Sequence, residues 1–242
     1  MDLGGWLDGF FDVFFPRSCV SCGKVVEAGD FRHLCAGCGR RVVYAGSPRC
    51  DTCGYPIFGA VESGRSCPHC LHLRPEYRVG RTACLFQGPV RALVHALKYE
   101  RAEYVARDLS ILAVHSPGFL DHLRGAVLVP VPLHRRKLRE RGYNQSELIA
   151  RRLSAVGGSS IRVENLLERV VDTPSQTHYS RKDRQTNLKN AFALAGNAAI
   201  MADTRYVLLD DVFTTGSTLN ACAKVLRRSG VKDLDIATIG HG

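Results

Sequence analysis

Val207-Leu208-Leu209-Asp210-Asp211-Val212-Phe213-Thr214-Thr215-Gly216-Ser217-Thr218-Leu219 is the stretch on which the reading of this 242-residue chain turns. Its apolar start, Val207-Leu208-Leu209, ends a buried strand predicted over 205–209. Two adjacent carboxylates, Asp210 and Asp211, stand at the carboxyl end of that strand. A short hydroxyl-rich loop then opens a helix predicted over 217–229. In open α/β sheets, ligands gather at the carboxyl ends of strands. Backbone N–H groups at the helix start, with the hydroxyls of Thr214, Thr215, Ser217 and Thr218 around Gly216, form an anion cradle. Two acids beside that cradle repel a phosphate. They suit diol hydroxyls, or a cation bridging them to a ligand. The pattern therefore fits a sugar phosphate, and an ordinary strand–turn–helix with a Ser/Thr cap is the plain alternative. No Lys follows Gly216, so the loop is not a Walker A loop.

Working outward, apolar periodicity predicts a strand over 81–86 and helices over 90–99 and 103–114. The run 126–131 reads as a buried strand ending in Pro. A helix over 143–156 stops at Gly157-Gly158. A short strand is expected within 161–167 and a last strand over 234–239. Residues 173–190 are polar and aperiodic and read as a loop. Strands alternating with helices predict an α/β fold with a mainly parallel sheet flanked by helices.

The N-terminal third is different. Eight of the ten Cys form four Cys-x-x-Cys pairs: Cys19/Cys22, Cys35/Cys38, Cys50/Cys53 and Cys67/Cys70. Two-residue spacing lets a tight knuckle turn both thiolates toward one Zn2+. Two structural Zn2+ sites of four cysteines each are expected, forming an N-terminal zinc-ribbon module over 19–80. The competing readings are a disulfide framework or a redox dithiol. The intervening gaps of twelve, eleven and thirteen residues do not decide which pairs share a metal; neighbouring pairs are the simplest arrangement. His33, His69 and His72 read as bystanders. Cys84 and Cys222 read as small buried hydrophobes. Leu3, Leu7, Phe10 and Phe14 lie at helical spacing, predicting an amphipathic helix over 1–18. The apolar run 10–15 contains Asp12 and is too short to span a bilayer, so no membrane insertion is expected. No secretory signal is visible, and a cytoplasmic location is expected.

The thirteen residues from Val207 to Leu219 resemble the phosphoribosyl-pyrophosphate (PRPP) signature of type I phosphoribosyltransferases at every position. The wider order is closer still. Four Cys-x-x-Cys pairs precede Val129-Pro130-Val131-Pro132-Leu133-His134, then Arg139-Glu140-Arg141-Gly142-Tyr143-Asn144-Gln145, then the signature. This order resembles the ComF family, whose members are linked to competence and DNA uptake. The resemblance implies a type I phosphoribosyltransferase domain over 81–242 behind a double zinc ribbon. It implies Mg2+-dependent transfer or release of the phosphoribosyl group of PRPP to an unidentified nucleophile. Asp210 and Asp211 would be catalytic, and Thr214, Thr215, Gly216, Ser217 and Thr218 would hold the 5′-phosphate. Val131, Pro132, His134, Arg135 and Arg136, within the loop 129–136, would hold pyrophosphate. Gln176, Thr177, Arg181, Arg184 and Asn187 would belong to a lid over 173–190.

Lys and Arg total 33 against 23 Asp and Glu, a formal charge of +10. The excess is uneven: residues 1–80 hold nine basic and eight acidic side chains, so nearly all of it belongs to 81–242. Basic residues cluster at 135–141 and within 181–189, as a pyrophosphate leaving group requires. The first cluster has two other readings: a solvated helix face, or contacts to a nucleic-acid backbone. In a non-catalytic alternative, the basic surface binds single-stranded DNA, or the chain meets competence-machinery proteins. Tyr99, Tyr104 and Tyr143 would then be base-stacking candidates.

Overall fold

The computed structural model describes residues 17–57, 67–171 and 190–242. The helix expected over 1–18 lies outside them except for its last two residues. Gln176, Thr177, Arg181, Arg184 and Asn187 also lie outside the described residues.

Five strands form one fully parallel sheet, in the order β1 (Gly80–Leu85), β7 (Asp233–His241), β6 (Arg205–Phe213), β2 (Val127–Pro130), β3 (Arg162–Val163). The central strand β6 is buried along nearly its whole length, as expected of a parallel strand covered on both faces. The sequence places the end of this strand at Leu209, but it continues to Phe213. The reason is its neighbour: β7 stays in register from Arg205↔Asp233 to Phe213↔His241. That pairing supplies backbone partners to two residues of low strand propensity.

Helices α2 (Gly88–Tyr99), α3 (Val105–His115), α4 (Phe119–Leu123) and α6 (Gln145–Gly157) pack on one face of the sheet, while α7 (Ser217–Arg228) packs on the other. A one-turn helix, α1 (Ala36–Gly39), lies in the Cys-rich region. Side chains of β6 alternate between the two layers. Val207 and Leu209 join Leu93, Leu109 and Ile149, and Tyr206 and Leu208 join Leu219 and Leu226. A short antiparallel pair, β4 (Leu167–Arg169) and β5 (Phe192–Leu194), lies against α7. Residues 135–141 form a further short helix, α5 (Arg135–Arg141), with no buried side chain.

The Cys-rich region is fused to this core. Cys19, Leu34, Cys35 and Cys38 pack with the α2/α3 layer, whereas Cys53 and Tyr77 pack with the α7 layer. The two Cys groups therefore lie against opposite faces of the sheet. Asp108 of α3, fully buried, anchors the first group by accepting the backbone N–H of Arg32 (3.0 Å) and of His33 (2.7 Å). Residues 43–45 hydrogen-bond to β1 and cover the open edge of the sheet (Ala45 N to Ala83 O, 2.9 Å; Leu85 N to Val43 O, 2.8 Å). At Gly54, φ is +76° and a Cβ would stand 2.4 Å from the Thr82 nitrogen, so a side chain there would push the second Cys group off β1.

Candidate functional site

The eight cysteines form two groups, Cys19/Cys22/Cys35/Cys38 and Cys50/Cys53/Cys67/Cys70, with all Sγ atoms of each within 4.8 Å of one another. Neighbouring pairs thus close successive sites. A tetrahedral Zn2+ with Zn–S bonds of about 2.3 Å sets its sulfurs about 3.8 Å apart. Cys22 Sγ lies 3.7 Å from Cys35 Sγ, and Cys53 Sγ lies 3.7 Å from Cys67 Sγ. These separations fit a shared metal and are far beyond the ~2.0 Å of a disulfide. Burial alone would raise the Cys38 thiol, but Arg41 Nη2, donating at 2.8 Å, helps bring it down to about 6, so it is readily a thiolate. Cys84 and Cys222, both fully buried, stand outside the groups.

The acid pair lies at the carboxyl end of the sheet. Asp210 and Asp211 are 9% and 3% exposed. Three elements reach them. Lys98, one residue from the end of α2, places Nζ 2.5 Å from Asp211 Oδ2. Ser146, in the first turn of α6, donates its hydroxyl to Asp210 Oδ1 at 3.0 Å, and Asp211 N donates to the same oxygen at 2.9 Å. Arg141, at the end of α5, adds positive potential at Asp211. Burial pushes Asp210 up to about 8, reinforced by the Asp211 charge and opposed by Lys98. Burial also opposes ionisation of Asp211, but the Lys98 ammonium outweighs it and holds that carboxyl below the usual range. Near neutrality the pair is therefore one protonated acid beside one carboxylate.

The loop after β6 is tight. Gly216 has φ +70°, and a Cβ there would lie 2.6 Å from the Phe213 ring and 2.9 Å from Leu73. Thr215 Oγ1 and Ser217 Oγ are 2.9 Å apart and tie the loop to the start of α7. Thr214 is exposed, while Ser217 is buried. Residues 73–76, just past the second Cys group, connect that group to this loop. Besides Leu73 at Gly216, Asn220 of α7 accepts the Glu76 N–H (2.8 Å) and donates to the Arg74 carbonyl (2.9 Å).

On the other side of the acids, β2 runs into Val131, Pro132 and His134. Asn144 Nδ2 donates to the Val131 carbonyl (3.0 Å), while its Oδ1 accepts from Ser146 N (3.1 Å) and caps α6. His134 Nδ1 accepts from Arg136 N at 3.4 Å and caps α5. Arg135 and Arg136 are exposed on that helix, with Glu168 3.7 Å and Glu140 3.4 Å away. Loop 131–134, the acid pair and loop 214–218 thus share one end of the sheet. Of the three tyrosines considered for base stacking, Tyr99 and Tyr104 are exposed, at 61% and 54%. Tyr143 is buried and donates its hydroxyl to the Leu97 carbonyl at 2.6 Å, so it is a structural tie and no stacking surface.

The sequence reading missed Lys98 and Ser146. A signal exists for the first: Lys98 continues the i, i+4 row of buried Val90 and Val94, where a charge needs a partner. Ser146 carries no such mark, because it meets Asp210 across 64 residues of sequence.

Comparison with known proteins places this geometry in context. A family model described as "Double zinc ribbon domain" matches residues 10–71. The chain is similar to "Competence protein F" of Haemophilus influenzae, with 31% identity over 92% of this chain and 96% of that protein. It is similar to "DNA utilization protein YhgH" of Salmonella typhimurium, with 32% identity over 91% of this chain and 95% of the relative. A more distant relative is "Competence protein ComFC" of Streptococcus pneumoniae, 22% identical over 89% of this chain and 96% of that protein.

Proposed function

The chain belongs to the family of competence protein F, and from that premise we propose that it is a phosphoribosyltransferase of a competence or DNA-utilization system that binds PRPP. The observation that carries the reading is the pairing of Asp210 and Asp211, at the end of β6, with the hydroxyl loop that opens α7. The protonated Asp210 donates to one ribose hydroxyl, and the Asp211 carboxylate accepts from its neighbour. One acid of each kind matches a cis-diol better than two carboxylates would. The N-terminus of α7, with Thr215 and Ser217, takes the 5′-phosphate.

Breaking the bond between the anomeric carbon and pyrophosphate builds positive charge on the ribose ring. In this reading the Asp211 carboxylate would offset that charge, with Lys98, 2.5 Å away, keeping it ionised and fixed. Loop 131–134, with Arg135 and Arg136 beyond it, offers N–H groups and cations to the departing pyrophosphate. Mg2+ would arrive with PRPP and neutralise part of that charge. Two Zn2+, one in each group of four cysteines, would be structural. The nucleophile is left open by the residues around the site.

Calorimetric titration with PRPP, with and without Mg2+, tests the reading. A second, non-catalytic reading is favoured by one observation: exposed Tyr99 and Tyr104 stand on the same chain as the exposed cations of α5. In that reading the surface holds single-stranded DNA, and binding falls steeply with salt.

A further inference from the structure

A cavity of about 410 Å³ opens beside α7, between residues 72–74 and the start of β5. Ser217 is its one residue shared with the phosphate loop, and neither Asp210 nor Asp211 lines it. Four basic side chains line it: His72, Arg74, Lys224 and Arg228, with no acidic side chain among the lining residues. Among the described residues, none of these four side chains makes a hydrogen bond or an ion pair.

The neighbouring Arg227 shows the contrast. Its guanidinium is committed to the carbonyls of Glu76, Val231 and Lys232, so it braces the fold. Lys224 and Arg228, at i and i+4, line the cavity with no acidic partner among the described residues. Two like charges at that spacing destabilise a helix, and an anion between them would remove the penalty. Leu73, Phe192 and Val225 add apolar surface among these basic side chains. Basic and apolar side chains interleaved around one cavity, in a volume within the range of small-molecule sites, suit a phosphate ester with an organic part. The recess is partly open and its basic side chains are exposed, so a nucleic-acid strand is the competing ligand.

We propose that this cavity is a second anion site that takes a small phosphorylated ligand the size of a nucleoside monophosphate. The proposal does not rest on PRPP binding at Asp210 and Asp211. From Asn220 to Arg228 the lining runs about 12 Å along α7, away from the phosphate loop.

The test is calorimetry of the zinc-loaded full chain with AMP, adenosine and a short single-stranded oligonucleotide. The expected result is that AMP binds at least tenfold more tightly than adenosine. Lys224→Glu/Arg228→Glu, and the milder Lys224→Gln/Arg228→Gln, should weaken AMP at least tenfold with zinc content and PRPP response unchanged. Asp210→Ala/Asp211→Ala should bind AMP as the parent does. AMP affinity unchanged in both Lys224/Arg228 variants would overturn the proposal. So would equal affinity for adenosine, or an oligonucleotide that displaces AMP and binds more tightly through the same two residues. A wild-type chain that binds AMP but gives no heat with PRPP would defeat the phosphoribosyltransferase reading and leave this one standing.

Discussion

Lys98 Nζ sits 2.5 Å from Asp211 Oδ2, joining the end of α2 to the carboxyl end of the central strand. The contact converts two adjacent buried acids from a mutual repulsion into a proton donor and a carboxylate. Replacing Lys98 with Met leaves Asp211 buried without its cation. Such a loss costs about 3 kcal/mol, given the several kcal/mol typical of broken buried pairs and the partial exposure of Lys98. The melting temperature should fall, and PRPP affinity should drop at least tenfold. Lys98→Arg should recover part of both. A Lys98→Met protein that melts and binds like the parent would remove the clamp from the account.

The Asp210 carboxyl, raised to about 8 from an ordinary value of 3.8, gives a pH signature. A folded-state value above the unfolded one means that the folded chain holds its proton longer. Stability from this group is therefore complete below about pH 4 and is lost progressively as pH rises toward 8. Asp211, shifted the other way, contributes stability that is lost as pH falls below the usual carboxylate range. Asp210→Asn keeps the neutral form at every pH. Its melting temperature relative to the parent should rise between pH 5 and pH 9. A flat difference across that window would contradict the assignment of the proton to Asp210.

Gly216 should not tolerate a side chain. Ala at φ +70° is strained, and its Cβ would collide with Phe213 and Leu73. A cost of about 2 kcal/mol is expected for the backbone alone. Chemical denaturation of Gly216→Ala gives the number, and a value near zero would show that the loop can relax.

Metal analysis should find two zinc ions per chain, and a strong chelator should unfold the Cys-rich region. With eight thiolates and two Zn2+ the formal charge of +10 becomes about +6. The two sites should not be equivalent. The second group reaches the loop at Gly216 through Leu73 and the Asn220 contacts, whereas the first is anchored by Asp108 on the other face. Cys53→Ser should therefore weaken PRPP more than Cys35→Ser does. Equal effects would place the second group outside the function of the loop.

Much of this architecture is local and therefore legible in the sequence. Cys-x-x-Cys spacing announces two metal sites, and β6, α7 and the loop between them are contiguous. What escaped depends on contacts distant in sequence. The near-equal gaps between Cys pairs do not reveal their pairing, which the fold settles by laying one group on each face. Asp210 and Asp211 look like strand terminators, yet β7 carries the strand past them to Phe213. Lys98 and Ser146 reach the acids only after α2 and α6 dock on the same sheet. Tyr143, beside basic residues, invites a surface role, but its bond to the Leu97 carbonyl buries it.

PRPP binding by the zinc-loaded chain, measured by calorimetry against Asp210→Ala/Asp211→Ala, bears most directly on the central claim. Saturable heat that strengthens with Mg2+ in the parent, and disappears in the folded double variant, is the predicted result. No heat from the folded parent at millimolar PRPP, or equal heat from the double variant, would contradict it.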